Sequence, residues 1–444
     1  MHQKVLKQGN LAKRFIFSLL AILVLVLSGF GVYSLGYSQS YFNPQFSFQN
    51  PLAQKSNISS QTASNNIQNV PEKVEEKKPE IIAPLSLSVN TLFFGDVFWG
   101  RYIDDWSKAS NLKFAYPFSG LSSFNRENYQ AWIADLECPI TSTYLSSATQ
   151  DNLLKFSCPV GYTVEAAKWF NAFTLANNHM DNMQEVDGLK QTRENLEANK
   201  IQYFGHYDNA YRDAQCRDEI CEVVSLPSKS TFPELKENQV KQESNFLVPV
   251  ALCGYHNVFK LPTEEDLSVI SEYSKYLPTV IMPHQGQEYK TVADELQQTY
   301  YRKMLDLGAD AVIGDHTHSV QNTEAYKGKL IVYSMGNFIF DQQSAPLYRQ
   351  GIAVNLDFNF AMDANLQKWS ALSPTCLKFK DACLTEAKKQ NLTKPKFTLK
   401  TDIIPTDNSN KLAKKADENT AQAILKQARW METKIKLDYS YAGK

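Results

Sequence analysis

The sequence predicts an α/β layered fold, and three observations point to it. Short apolar runs alternate with amphipathic helical patterns between residues 86 and 341. Run after run spills into a cluster of Asp, Glu, Asn or His at its C-terminal end. A hydrophobic content of 43% over 444 residues supplies a large core and allows two or three domains.

Taken in order, the folded part begins near Ser86. Ser86 to Phe94 alternates in part and ends at Gly95-Asp96, a first strand. Trp132 to Leu136 reads as a second, stopping before Glu137, and Phe170 to Ala176 leads into Asn177-Asn178-His179. Glu185 to Lys200 carries Leu189 and Leu196 at helical spacing. A strand at Val248 to Cys253 precedes a helix at Glu264 to Tyr276, and Thr279 to Met282 is a strand before His284. Ala293 to Leu307 reads as an amphipathic helix stopped by Gly308. Ala309 to Ile313 is too short for a helix and is bracketed by Gly308 and Gly314, so it reads as a strand. His316 and His318 then fall just past its end, where open α/β sheets gather ligands. Leu330 to Met335 is a strand before Gly336-Asn337.

Beyond Asp341 the pattern changes. Gly351 to Phe360 and Phe397 to Ile404 alternate like antiparallel strands, and the cysteine-bearing segment between them reads as a loop or hairpin insertion. Glu418 to Leu437 is helical, with Ile424, Leu425, Trp430 and Ile435 mainly on one side. The division is therefore a main domain at 86–341 and a C-terminal part, 342–444, that completes or flanks it.

The N-terminus is organised differently. Lys4, Lys7, Lys13 and Arg14 precede a charge-free run at 15–36, whose core, Phe15 to Tyr33, is long enough to cross a bilayer. Basic residues on that flank keep residues 1–14 in the cytoplasm and send the rest across the cytoplasmic membrane. A retained single-pass anchor and a cleaved signal peptide both fit, and both export the folded domain. Residues 37–84 are rich in Gln, Ser and Asn, then in Pro, Glu and Lys, and read as a disordered tether. With 46 Lys+Arg against 47 Asp+Glu there is no basic excess of the kind a nucleic-acid-binding protein carries.

The seven cysteines suit an exported domain. We expect disulfides at Cys216–Cys221, Cys376–Cys383 and Cys138–Cys158. Cys253, inside an apolar run, is expected to be a buried free thiol.

The strand ends place Asp96, Glu137, Asn178 with His179, His284 with Glu288, and His316 with His318 in a comparable position. Carboxylates, an amide oxygen and imidazoles are the donor mixture of hydrolytic metal sites. Each residue alone has an ordinary explanation: Asp96 as a turn or cap, Glu137 as a solvated charge, Asn178 as a turn former. It is the recurrence at successive strand ends that points to a site. His206 and His256 lack such company and read as structural.

The ordered motifs Phe94-Gly-Asp-Val-Phe-Trp-Gly-Arg101, Asp135-Leu-Glu137, Leu175-Ala-Asn-Asn-His179, His284-Gln-Gly-Gln-Glu-Tyr289, Gly308-Ala-Asp-Ala-Val-Ile-Gly-Asp-His-Thr-His318 and Tyr333-Ser-Met-Gly-Asn-Phe338 resemble the bacterial capsule-synthesis family named for poly-γ-glutamate. The resemblance implies a four-layer αββα sandwich similar to the calcineurin-like metallophosphoesterases. It implies a divalent transition metal (Mn, Fe or Zn), as one or two ions. By it, Asp96 and His318 would hold the first ion, Glu137 would bridge, and Asn178, His284 and His316 would hold the second. His179 and Arg101 would serve catalysis, and Asn337 and Glu288 would contact substrate. Phe98 stands where phosphoesterases usually have a histidine ligand, so fuller occupancy is expected at the second position than at the first.

Two functional readings follow. One is an exported metal-dependent hydrolase or transferase acting on a phosphoester or on an anionic envelope polymer such as poly-γ-glutamate. The other is a non-catalytic component working beside capsule synthesis or export membrane proteins, with a decayed metal site. A Ser-His-Asp hydrolase is a poor fit, since no Gly-x-Ser-x-Gly elbow occurs.

Overall fold

The computed structural model describes residues 78–205, 219–242, 245–378 and 380–439. Strand β1 (Ser86–Val97) alternates buried and half-buried residues at its start and is buried throughout from Thr91 onward. It alternates less as it proceeds because it becomes central, with a core on each face. Leu87, Val89 and Phe93 look inward, while Leu92, Phe94 and Val97 look outward.

Beside β1 run β2 (Ala131–Leu136), β3 (Ala172–Thr174) and β4 (Gln202–Phe204), all parallel. A second sheet contains β5 (Cys221–Pro227), β6 (Leu247–His256), β7 (Thr279–His284), β8 (Ala311–Ile313), β9 (Thr323–Tyr326) and β10 (Lys329–Val332). Its order is β9-β10-β8-β7-β6-β5, parallel through its middle and antiparallel at both edges. The short β11 (Asn337–Ile339) returns to the first sheet and pairs with β1, Asn337 opposite Asp96. Then β12 (Gln350–Ala361) and β13 (Phe397–Asp407) extend that sheet antiparallel on the far side of β1. The C-terminal part thus contributes strands to the main sheet.

The sheets share one core, in which Val89, Phe93 and Ile133 meet Val250, Leu252, Val280, Met282 and Val332. On the outer face of the first sheet, Trp132 and Phe173 pack with Ile103 of helix α1 (Arg101–Ala109) and with Phe118 and Phe124. Other helices cover the second sheet. Ile281, Val312 and Ile331 pack against Leu267 and Ile270 of α2 (Glu264–Ser274) and Tyr301 and Met304 of α3 (Glu295–Asp306). Capping boxes, Thr263 with Asp266 and Asp294 with Gln297, set where α2 and α3 begin, each cap contributing ~1 kcal/mol. The layering is helix, sheet, sheet, helix.

Several expectations need correction. The cysteine-bearing segment after β12 is not a loop or hairpin but two helices, α4 (Ala364–Lys378) and α5 (Lys380–Lys389). Trp369, Leu372, Cys376, Cys383 and Ala387 line one cluster with Val223 and Ala251, and Pro374 inside α4 disguises the period. Cys253 is not a free thiol. It bonds Cys221, its direct partner across the antiparallel β5–β6 pair, so Cys221 is not bonded to Cys216, which lies outside the described residues. Cys138–Cys158 and Cys376–Cys383 form as expected.

The tether expectation fails at its end, where Glu80–Ile82 pairs with Gln239–Lys241 as a short parallel ribbon. Among the described residues no helix is long and apolar enough to cross a membrane. The cytoplasmic tail at 1–14, the anchor at 15–36, the tether up to residue 77, and His206 lie outside the described residues.

Candidate metal centre

The C-terminal ends of the parallel strands from both sheets deliver the site. Asp96 comes from the end of β1 and, on its two flanks, pairs with Asp135 of β2 and Asn337 of β11. The backbones press together here: a Cβ on Gly95 would lie 2.0 Å from the carbonyl oxygen of Gly336. Glu137 follows β2, Asn178 and His179 follow β3, His284 ends β7, and Asp315, His316 and His318 follow β8. The two last histidines reach one focus because the loop carries left-handed backbone at both, φ 90° at His316 and 54° at His318. Such angles are uncommon outside glycine and mark strain held by the surrounding structure.

Four carboxylates (Asp96, Asp135, Glu137 and Asp315) and three imidazoles (His284, His316 and His318) are buried where they meet. Glu137 Oε1 has three imidazole Nε2 atoms around it: His179 at 3.9 Å, His284 at 3.8 Å and His318 at 3.9 Å. His284 Nε2 lies 2.8 Å from Asn178 Oδ1 and 3.1 Å from His316 Nδ1. Its other nitrogen faces Asp315 Oδ1 at 2.9 Å and Asp135 Oδ2 at 3.0 Å. Asp96 Oδ2 is 3.1 Å from His318 Nδ1. Donors bonded to one ion at ~2.1 Å lie roughly 3–3.5 Å from each other, and several of these separations are of that kind. Donor atoms of Asp96, Asp135, His284 and Asp315, and again of Asp96, Glu137 and His318, lie within 4.8 Å of one another.

The electrostatics ask for positive charge. Asp96 Oδ2, Asp135 Oδ2, both oxygens of Glu137 and Asp315 Oδ2 are buried without a hydrogen-bond partner. The contacts of Asp96 Oδ2 and Asp135 Oδ2 with imidazoles are close ion pairs lacking hydrogen-bond alignment. Burial, aided by the Asp96 charge, pushes the Glu137 carboxyl well above the usual carboxylate range. Burial raises Asp135 and Asp315 as well. Burial opposes charging of His318, yet Glu137 and Asp96 outweigh it and hold that imidazole up at about 9. The residues present therefore fit a divalent cation: unpartnered carboxyl oxygens and imidazole nitrogens converge, and the raised carboxyls show that negative charge is penalised there unless a cation balances it.

His179 is set apart. Its ring stacks on Phe156 at 3.7 Å, and its Nδ1 lies 3.0 Å from Asn182 Oδ1, which also accepts the Phe156 N–H. That pairing makes Nδ1 the donor and leaves Nε2 as a lone pair facing Glu137. Burial lowers its pKa to about 3, so the ring is neutral.

Residues 90–342 match the bacterial capsule synthesis protein family PGA_cap. The chain belongs to that family. It is 40% identical over 253 residues to the PGA biosynthesis protein CapA of Bacillus subtilis (strain 168), a stretch covering 56% of this chain and 63% of that one. It is 30% identical over 204 residues to the capsule biosynthesis protein CapA of Bacillus anthracis, covering 40% of this chain and 43% of that one. The match thus spans less than two thirds of either relative's length. A looser likeness is to the solved structure of GAP50, the anchor in the inner membrane complex of Plasmodium, with TM-score 0.32 and 10% identity over 77% of this chain and 95% of that one.

Within this capsule synthesis domain the expected residues take unequal places. Asp96, Glu137, Asn178, His179, His284, His316 and His318 converge as described. Asn337 supports His318, its Oδ1 2.9 Å from Nδ1. Arg101, expected to be catalytic, is buried and engaged with Asp341, Nε to Oδ2 at 2.8 Å and Nη2 to Oδ1 at 2.5 Å. Its guanidinium also lies over Phe156 at 4.6 Å and Phe98 at 5.2 Å, so it braces the wall behind His179. Phe98 belongs to that aromatic wall and supplies no ligand. Glu288 is exposed on the loop, and its neighbour Tyr289 is the residue ranged over His318.

Sequence reasoning missed Asp135, Asp315, Asn182 and Tyr289. Asp135 had a signal, since it shares a strand face with Glu137 by the two-residue period. His256, read as structural, is buried and pairs in register with His284.

Proposed function

We propose that this protein is an exported, membrane-anchored, metal-dependent hydrolase or transferase of capsule synthesis. Its substrate would be an anionic envelope polymer such as poly-γ-glutamate, or a phosphoester. One observation carries the reading: buried carboxylate oxygens without partners, facing imidazole nitrogens, at the ends of strands from two sheets. The helix–sheet–sheet–helix layering supports the likeness to calcineurin-like metallophosphoesterases.

A bound divalent cation would supply Lewis acidity and an activated water. Asp96, Glu137 and His318 would hold one position, and Glu137, Asn178, His284 and His316 the other. Asp315 fixes His284 by accepting the hydrogen bond from its Nδ1–H, with the Asp135 carboxylate beside it as an ion pair, which leaves Nε2 for the centre. Neutral His179 holds an acceptor at Nε2. An arriving anionic group raises its affinity for a proton, which Nε2 takes up from solvent and can then pass to a leaving oxygen or nitrogen.

The test is elemental analysis of the full chain, with assays on p-nitrophenyl phosphate and on poly-γ-glutamate. We expect Mn, Fe or Zn and cleavage of one substrate. A chain that holds no metal would sink the reading. Phe98 in place of a ligand favours the second reading, a non-catalytic member of a capsule export assembly, and metal bound without turnover would decide for it. The anchor is tested separately. A reporter active only outside the cytoplasm, fused after Asn90, should be active.

A further inference from the structure

Tyr289 stands half-exposed over the centre, its ring 5.9 Å from that of His318 and 4.7 Å from that of Tyr348. Its backbone is left-handed, φ 64°, and is pinned there by its N–H donating to the carbonyl of Thr317 at 2.7 Å. That conformation is an outlier for a bulky residue, and a ring left partly in solvent gains little from packing. Core formation does not account for its position.

The hydrogen bonds around it have a fixed polarity. The carbonyl of Tyr348 can only accept, so Asn337 turns Nδ2 to it, at 2.9 Å, and the same Nδ2 donates to Gln342 Oε1 at 3.0 Å. Asn337 Oδ1 must then face His318, which makes His318 Nδ1 the donor and frees His318 Nε2 for the centre. On the other side, Gln342 has its oxygen taken and can offer only Nε2, which donates to the Tyr289 hydroxyl at 3.1 Å. One backbone carbonyl thus orients a chain running from a candidate metal ligand to the mouth of the site. The phenol oxygen accepts from within, so its proton is free to point outward.

We propose that Tyr289 is a substrate-contacting residue whose hydroxyl donates to an anionic oxygen of the group bound at the centre, with Tyr348 flanking it. This rests on the reading of the centre as a metal site. The oxygen is phosphoryl or carboxylate, and the experiment separates them.

The full chain in detergent, wild type and Tyr289→Phe, is titrated first with Mn2+ and then, Mn2+-loaded, with inorganic phosphate and with γ-glutamyl-glutamate, by calorimetry. Tyr289→Phe keeps the ring and removes only the hydroxyl. We expect unchanged Mn2+ affinity and stoichiometry, and about tenfold or more weaker binding of whichever anion the wild type takes. Failure of the wild type to take up Mn2+ overturns the metal reading itself. Mn2+ uptake with equal anion affinity in both proteins, or with neither anion bound by the wild type, overturns the role of Tyr289 alone.

Discussion

Asn178 Oδ1 and His284 Nε2 face each other at 2.8 Å while the opposite nitrogen of His284 is engaged by Asp315 and Asp135. Held charged by Asp135 and Asp315, the metal-free ring donates from Nε2 to Asn178 Oδ1; once Nε2 gives up that proton, two acceptors face each other at that distance and repel unless a cation takes its place. His316 Nδ1, 3.1 Å from the same Nε2, adds a further donor atom to this point.

Replacing His284 or His316 with Ala should therefore abolish metal retention. Asp315→Asn removes only the group that orients His284, and should weaken affinity by about 10–100-fold. Asp96→Ala should spare the position held by Asn178, His284 and His316 and lower total metal content. Elemental analysis and metal titration of each variant check this. A His284→Ala protein that keeps its metal would refute the assignment.

Arg101 and Asp341 form a buried bidentate pair. Removing one partner leaves the other charge buried and alone, which costs about 3–5 kcal/mol. Arg101→Ala should lower the unfolding midpoint strongly and also loosen Phe156 and His179. Asp341→Ala should do the same, and the double variant should lose less than the two singles together. If Arg101 instead contacts substrate, denaturant unfolding will be unchanged and only activity will fall.

Much of this site was legible because each strand end announces itself by an apolar run giving way to a polar cluster. What stayed hidden depends on geometry that linear spacing does not carry. Asp315 and His316 are neighbours that serve one focus only because His316 is left-handed. Tyr289 reaches the mouth in place of Glu288 for the same kind of reason. Cys221 and Cys253 are 32 residues apart yet directly opposed across two strands, whereas nearness in sequence favoured Cys216. Helix α4 escaped notice because Pro374 sits within it.

The Cys221–Cys253 bond gives the third prediction. It closes a 32-residue separation, so its removal should cost roughly 3–4 kcal/mol. Cys253→Ala should show that loss in denaturant unfolding. Peptide mapping of the unreduced protein should link Cys221 to Cys253, and a Cys216–Cys221 link would overturn the pairing.

The last prediction is that metal-free and metal-loaded chains respond to pH with opposite signs. In the metal-free chain His318 is held up at about 9 against an ordinary 6.5. A raised folded-state pKa gives stability that is full below about 6.5 and is lost as pH rises through about 9. His284 is raised too, burial opposing but Asp135 and Asp315 prevailing. The raised carboxyls of Glu137, Asp135 and Asp315 act with the same sign. His179 and His316 are lowered, chiefly by burial, so their contribution is present above about 6.5 and is lost only as pH falls, for His179 through about 3. The window from 6.5 to 9 thus belongs to the raised groups, and His318 alone should remove on the order of 3 kcal/mol across it. A metal ion needs the same groups deprotonated, so its affinity and the stability it adds grow with pH. Thermal unfolding with chelator and with Mn2+, at the two ends of that window, reads both effects. The chelated protein should melt at a lower temperature at the alkaline end, and the increment from Mn2+ should be larger there. An unfolding temperature that stays flat without metal, together with a constant increment, would show that the buried carboxylates and imidazoles do not exchange protons for a cation.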